Sequence, residues 1–201
     1  MDRKHSSRQN LARPRRGGWL LARIFLIALV LDGIESPRLM GQEGRPSEFE
    51  VKAVYLYNFG KFIEWPVGSE RGAFVICVLG DDPFGPILDR ILADETLGGK
   101  PVLVKRVPDL VQTDDCLIAF ISASEARRLP QILERLKGKS ILTVSDVTDF
   151  SSRGGMIELV LHQGRVRFDV DLNATRAAGL QLSSELLKVA RTVRGAKPGE
   201  S

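Results

Sequence analysis

From residue 51 onward, apolar positions recur in helical register. Val51, Val54, Tyr55, Asn58, Phe59, Phe62 and Ile63 follow the i, i+3, i+4, i+7 spacing of one buried helix face. Trp65-Pro66 ends the helix, because the residue before a proline avoids helical geometry. The aromatic residues at this spacing are expected in the core. Residues 73–79 form a continuous apolar run rich in β-branched side chains, the pattern of a strand buried on both faces. Asp82-Pro83 is placed to cap and open a helix running to Leu92. Residues 101–107 and 117–121 read as further strands. Ser122 and Glu125 stand at capping-box spacing ahead of a helix whose apolar face is Ile132, Leu133 and Leu136. Residues 140–144 read as a short strand, followed from Ser145-Asp146 by a turn or short helix through Phe150 that Gly154-Gly155 breaks.

The pattern changes after residue 156. Ile157, Leu159 and Leu161 alternate with Glu158, Val160 and His162, and Val166, Phe168 and Val170 alternate with charged residues. Gln163-Gly164 between them predicts an antiparallel hairpin. Leu180, Ser183, Leu187, Ala190 and Val193 predict a long closing helix over 173–193. Strands alternating with helices predict a single compact α/β domain. Its sheet is mixed but mostly parallel, flanked by helices on both faces, with a C-terminal antiparallel hairpin and the closing helix. The expected organisation is an export segment and start of a linker over 1–41, linker over 42–49, the domain over 50–194, and a disordered tail over 195–201.

Charge sharpens the reading of the ends. The whole chain has a formal net charge of +4. Residues 1–41 hold eight Lys and Arg against three Asp and Glu, whereas the remainder holds 21 against 22. The folded part has no cation excess to neutralise phosphates, which argues against nucleic-acid binding. The basic stretch up to Arg16 precedes an apolar run that ends at Leu31 and is interrupted by Arg23. A short apolar run behind a positive segment fits a secretory signal, with an uncleaved tether as the competing arrangement. Cys77 and Cys116 are the two cysteines of the chain. In an oxidising compartment they can pair. The other reading is two buried, small apolar side chains that never meet.

Candidate chemistry is sparse. Past the leader the only histidine is His162, at the hairpin turn, and two cysteines cannot build a zinc site alone. No nucleophile elbow or phosphate-binding glycine loop occurs. No catalytic residue, metal or cofactor is expected. The ends of the expected parallel strands carry Gly80, Asp81, Ser122, Ser145 and Asp146. Open α/β sheets bind ligands at that edge, so these five are the candidate ligand-binding residues. Cap and turn roles compete for each of them.

Five ordered blocks carry a more specific signal. They are the helix from Val51 to Pro66, the stretch from Cys77 to Gly85, Ile141 to Asp146, Gly154-Gly155-Met156-Ile157, and Leu180 to Leu187. Together they resemble the YfiR/HmsC family of periplasmic proteins, over roughly residues 50–193. The resemblance implies a periplasmic repressor that binds the periplasmic sensor domain of an inner-membrane diguanylate cyclase. Such a repressor lowers cyclic di-GMP production and so limits exopolysaccharide and biofilm. It also implies sequestration by an outer-membrane lipoprotein, a homodimer, and a cysteine pair at Cys77 and Cys116. Some relatives carry a second pair near the stretch 151–158, where this chain has none. The alternative function is a periplasmic small-ligand sensor using the strand-end edge.

Overall fold

The computed structural model describes residues 46–69 and 72–195. The expected export segment and the last six residues lie outside them. In chain order the elements are α1 (Glu48–Phe62), β1 (Ile63–Glu64), β2 (Phe74–Leu79), α2 (Pro86–Leu92), β3 (Thr96–Leu97), β4 (Lys100–Val107), β5 (Ile118–Ile121), α3 (Leu129–Leu136), β6 (Leu142–Ser145), β7 (Ile157–His162), β8 (Arg165–Asp171), α4 (Leu172–Ala177), β9 (Gln181–Leu182), α5 (Ser184–Val189) and β10 (Thr192–Arg194). Short 3-10 turns cover Leu110–Thr113, Ala123–Glu125 and Ser151–Arg153.

Strands β4, β2, β5, β6 and β7 lie side by side and parallel. The chain goes from β2 out to β4, then crosses back to β5 on the other side. That is the doubly wound order 2-1-3-4-5, with its switch point between β2 and β5. The hairpin appears as expected: β8 pairs antiparallel with β7, and β10 then adds in parallel to β8. At the other edge β3 turns back on β4. Every residue of β2 is buried, as its unbroken apolar run requires. Ile76 and Val78 face the core beneath α1 and α2, with Leu172 of α4 and Leu186 of α5 in the same cluster. Val75, Cys77 and Leu79 face the core beneath α3, against Leu129, Ile132 and Leu136. Helices therefore cover both faces.

Three expectations need correction. The first concerns α1, which carries two apolar stripes. The structure buries Lys52, Ala53, Leu56, Tyr57 and Phe59, while Val54 is 44% and Phe62 39% exposed. Gly60 on the buried stripe favours that choice. A Cβ there would stand 2.4 Å from Leu97 Cδ1 and 3.0 Å from Phe74 Cζ, so a glycine lets that face approach the sheet without displacing either side chain. The second concerns helix starts. Asp82 accepts a hydrogen bond from Phe84 N at 2.8 Å and makes a turn, and α2 begins only at Pro86. Ser122 likewise caps a 3-10 turn, with α3 starting at Leu129.

The third is the closing helix over 173–193, which is not continuous. Gly179 has φ +74°, a left-handed conformation that ends a helix. A Cβ on Gly179 would also lie 3.0 Å from Pro66 Cγ. The segments on either side are capped separately. Asp171 accepts from Asn173 N and Ala174 N at the start of α4, and Ser183 accepts from Leu186 N at the start of α5. Between them β9 pairs with β1. Arg191 then binds Asp169 through two hydrogen bonds, of 2.8 and 2.5 Å, and directs the chain into β10.

Candidate functional site

Leu79, Ile121 and Ser145 share one rung across β2, β5 and β6. Gly80, Ser122 and Asp146 therefore follow side by side along the edge that sequence reasoning singled out, with Asp81 just beyond. The structure brings the five residues together, and several of their polar groups serve the edge itself. Asp81 N donates to Ser124 Oγ at 2.9 Å. Ser122 N donates to the Leu79 carbonyl at 3.0 Å and ties the two strand ends. The buried Ser145 hydroxyl donates to the Ile121 carbonyl at 2.6 Å and accepts from Val147 N at 3.1 Å.

Asp146 has a partner that sequence reasoning missed. Lys52, 4% exposed, reaches from α1 to Asp146 Oδ2 at 2.6 Å and to Glu48 at 2.5 Å. Burial opposes the Lys52 ammonium, but its hydrogen bonds to Asp146 and Glu48 and their negative charges outweigh that cost. Its pKa consequently lies above the ordinary lysine value. Asp146 Oδ1 is buried without a hydrogen bond. Beside this edge, Arg106 of β4 binds Asp82 at 2.9 Å and Asp89 at 2.5 Å, holding the first turn of α2. Hydrogen bonding to Arg106 keeps the Asp89 carboxyl below the usual carboxylate range.

Cys77 and Cys116 are joined by a disulfide, with Cα atoms 5.8 Å apart. Both are buried in the core beneath α3, and the bridge ties β2 to the residue leading into β5. The stretch 151–158 is held by other means. The buried Glu158 carboxylate accepts from Asp149 N at 3.1 Å, Ser151 N at 3.1 Å and Ser151 Oγ at 3.0 Å.

A spacious recess lies elsewhere. It is a groove of about 1020 Å³ formed by α4, β9, α5 and β10. Leu172, Leu180, Leu182, Leu187 and Val193 give it an apolar floor, and Arg176 and Lys188 supply its charges. Among the described residues that line it, none is a carboxylate. Sequence reasoning missed the groove because it placed Leu180, Leu187 and Val193 on one face of a continuous helix. The signal that could have found it is Gly179 followed by the capping pattern of Ser183 with Glu185.

Fold and site define a class: a disulfide-bridged, doubly wound α/β domain with an apolar, cation-bearing groove outside its sheet. The family model described as YfiR/HmsC-like matches residues 49–191, and the chain belongs to that family. The family is periplasmic and regulatory, known for control of diguanylate cyclases.

Proposed function

We propose that this protein is a periplasmic repressor of an inner-membrane diguanylate cyclase. It binds the cyclase's periplasmic sensor domain, lowers cyclic di-GMP production, and so limits exopolysaccharide and biofilm. An outer-membrane lipoprotein relieves the repression by sequestering it. The observation that carries the interface is the groove of α4, β9, α5 and β10. Its apolar floor suits an amphipathic segment, and Arg176 and Lys188 favour one with acidic flanks.

Titration of the purified protein with the cyclase's isolated periplasmic domain tests this reading. Lys188→Glu on the exposed groove rim is expected to weaken binding about tenfold, with the wild-type affinity falling as salt rises. Equal affinity of the two forms would remove the groove from the interface. The small-ligand reading at Gly80, Asp81, Ser122, Ser145 and Asp146 draws less support. There the Ser122 and Ser145 groups already bond the strand ends, and Lys52 already neutralises Asp146.

A further inference from the structure

The folded part is close to neutral overall, but its charges are segregated across the sheet. Arg165 and Arg167 alternate along β8 with Val166 and Phe168, which face the core beneath α1, so both arginines stand on the α3 side. Arg153 belongs to the turn whose Phe150 is buried beneath α3, and it shares a recess with Glu134 and Lys137 at the end of α3. Arg135 of α3 and Arg127 just before it are exposed. Among the described residues none of these five arginines is in an ion pair. The carboxylates nearby are engaged: Glu125 with Arg128 at 3.1 Å, Glu134 with Lys137 at 3.6 Å, Asp169 with Arg191, and Glu158 with the N–H groups of Asp149 and Ser151. The α1 side is biased the other way. Glu48, Glu50, Asp89, Asp94 and Glu95 on α1, α2 and the turn after α2 outnumber Lys52, Lys61 and Arg90.

The arginines are spread over a surface and do not converge on a pocket. β8 lies three strands beyond β5, about 14 Å away, and Arg153 and Arg135 line different recesses. None of the exposed large apolar side chains belongs to α3, to the turn at Ser151–Arg153 or to β8. A stable protein–protein contact needs an apolar centre, which this side does not offer. A headgroup layer instead presents many phosphodiester oxygens at one level, and the planar guanidinium fork is suited to binding them.

We propose that the α3 side of the domain is a docking face for an anionic phospholipid bilayer, bound at the headgroup level by Arg127, Arg135, Arg153, Arg165 and Arg167. The contact is peripheral and reversible, each cation near an anionic surface strengthening it about fivefold. Segregation of charge also orients the molecule, because the acidic α1 side is repelled by the same surface. Leu172 of α4 and Leu186 of α5 pack on the α1 side, so the groove stays uncovered and the docking face does not depend on the proposed cyclase contact.

Co-sedimentation of the protein, recovered from a periplasmic extract, with lipid vesicles reads the contact without any cyclase present. Vesicles of mixed phosphatidylglycerol and phosphatidylcholine are compared with phosphatidylcholine alone. Binding is expected on the anionic vesicles only, and to fall as salt rises. Arg165→Gln with Arg167→Gln is expected to lower the partition coefficient about tenfold or more, and Arg135→Gln several-fold. Lys61→Gln on the α1 side is expected to leave it unchanged. Wild type and variants share the same N-terminal residues, so a difference between them reports the folded face, and circular dichroism checks that each is folded. Equal binding to both kinds of vesicle, arginine variants that bind like wild type, or an equal loss with Lys61→Gln would overturn the proposal. So would a wild type that ignores vesicles while the arginine variants lose the cyclase's periplasmic domain, which would assign the face to an acidic protein surface.

Discussion

Lys52 is the residue whose role sequence pattern hides most completely. A lysine inside a helix reads as solvated, yet this one is buried between Glu48 and Asp146 and joins α1 to the end of β6. Removing one member of a buried pair leaves the other charged and poorly solvated. Asp146 keeps 18% of its side chain exposed, which moderates the penalty. Lys52→Met is therefore expected to cost about 2–3 kcal/mol at neutral pH in urea unfolding. Asp146→Asn added to it should cost little more. The pH dependence has a definite sign. Because the folded pKa of Lys52 is raised, its contribution is fully present below the unfolded lysine value and fades as pH rises through the folded one. The stability gap between wild type and Lys52→Met should accordingly be flat from neutral to mildly alkaline pH and narrow above roughly pH 10.5. A gap that widens with alkalinity would contradict the pairing.

At the scale of elements, the parallel strands and the hairpin were legible because their signals are local. An unbroken β-branched run and a strict alternation each admit few structures. Helix boundaries were less legible, since Asp82 and Ser122 fit both a helix cap and a turn, and only the neighbouring strands decide. The C-terminal region was misread because its apolar spacing satisfies a helix, while Gly179 meets Pro66 and β9 pairs with β1 through contacts distant in sequence. A single substitution separates the two readings. In a continuous helix Gly179→Ala would stabilise by about 1 kcal/mol. In the observed left-handed conformation it should destabilise by about 1–2 kcal/mol, measured as a lowered denaturation midpoint. The bridge between Cys77 and Cys116 acts at this scale too. It closes a loop over a sequence separation of 39, and on the chain-entropy model such a loop stabilises by roughly 3–4 kcal/mol.

For the whole molecule, the doubly wound sheet brings the five strand-end residues to one edge, as the element order implied, but the Ser122 backbone and Ser145 hydroxyl bond the strand ends and Asp146 pairs with Lys52. The groove is assembled from four elements of the last third, so no local pattern announces it. The α1 stripe was visible as a stripe, and its direction was not, because the choice between two apolar faces depends on contacts distant in sequence, such as the approach of Gly60 to Leu97 and Phe74. The chain belongs to the YfiR/HmsC-like family, which is known for periplasmic regulation of diguanylate cyclases, and the proposed function stands or falls on cyclic di-GMP in the cell. The most direct test measures it in a strain lacking this gene, complemented with either the whole chain or a form without residues 1–41. The account predicts a rise on deletion, a return to the parental level with the whole chain, and no return with the leaderless form. An unchanged level on deletion across growth conditions, or full rescue by the leaderless form, would contradict it.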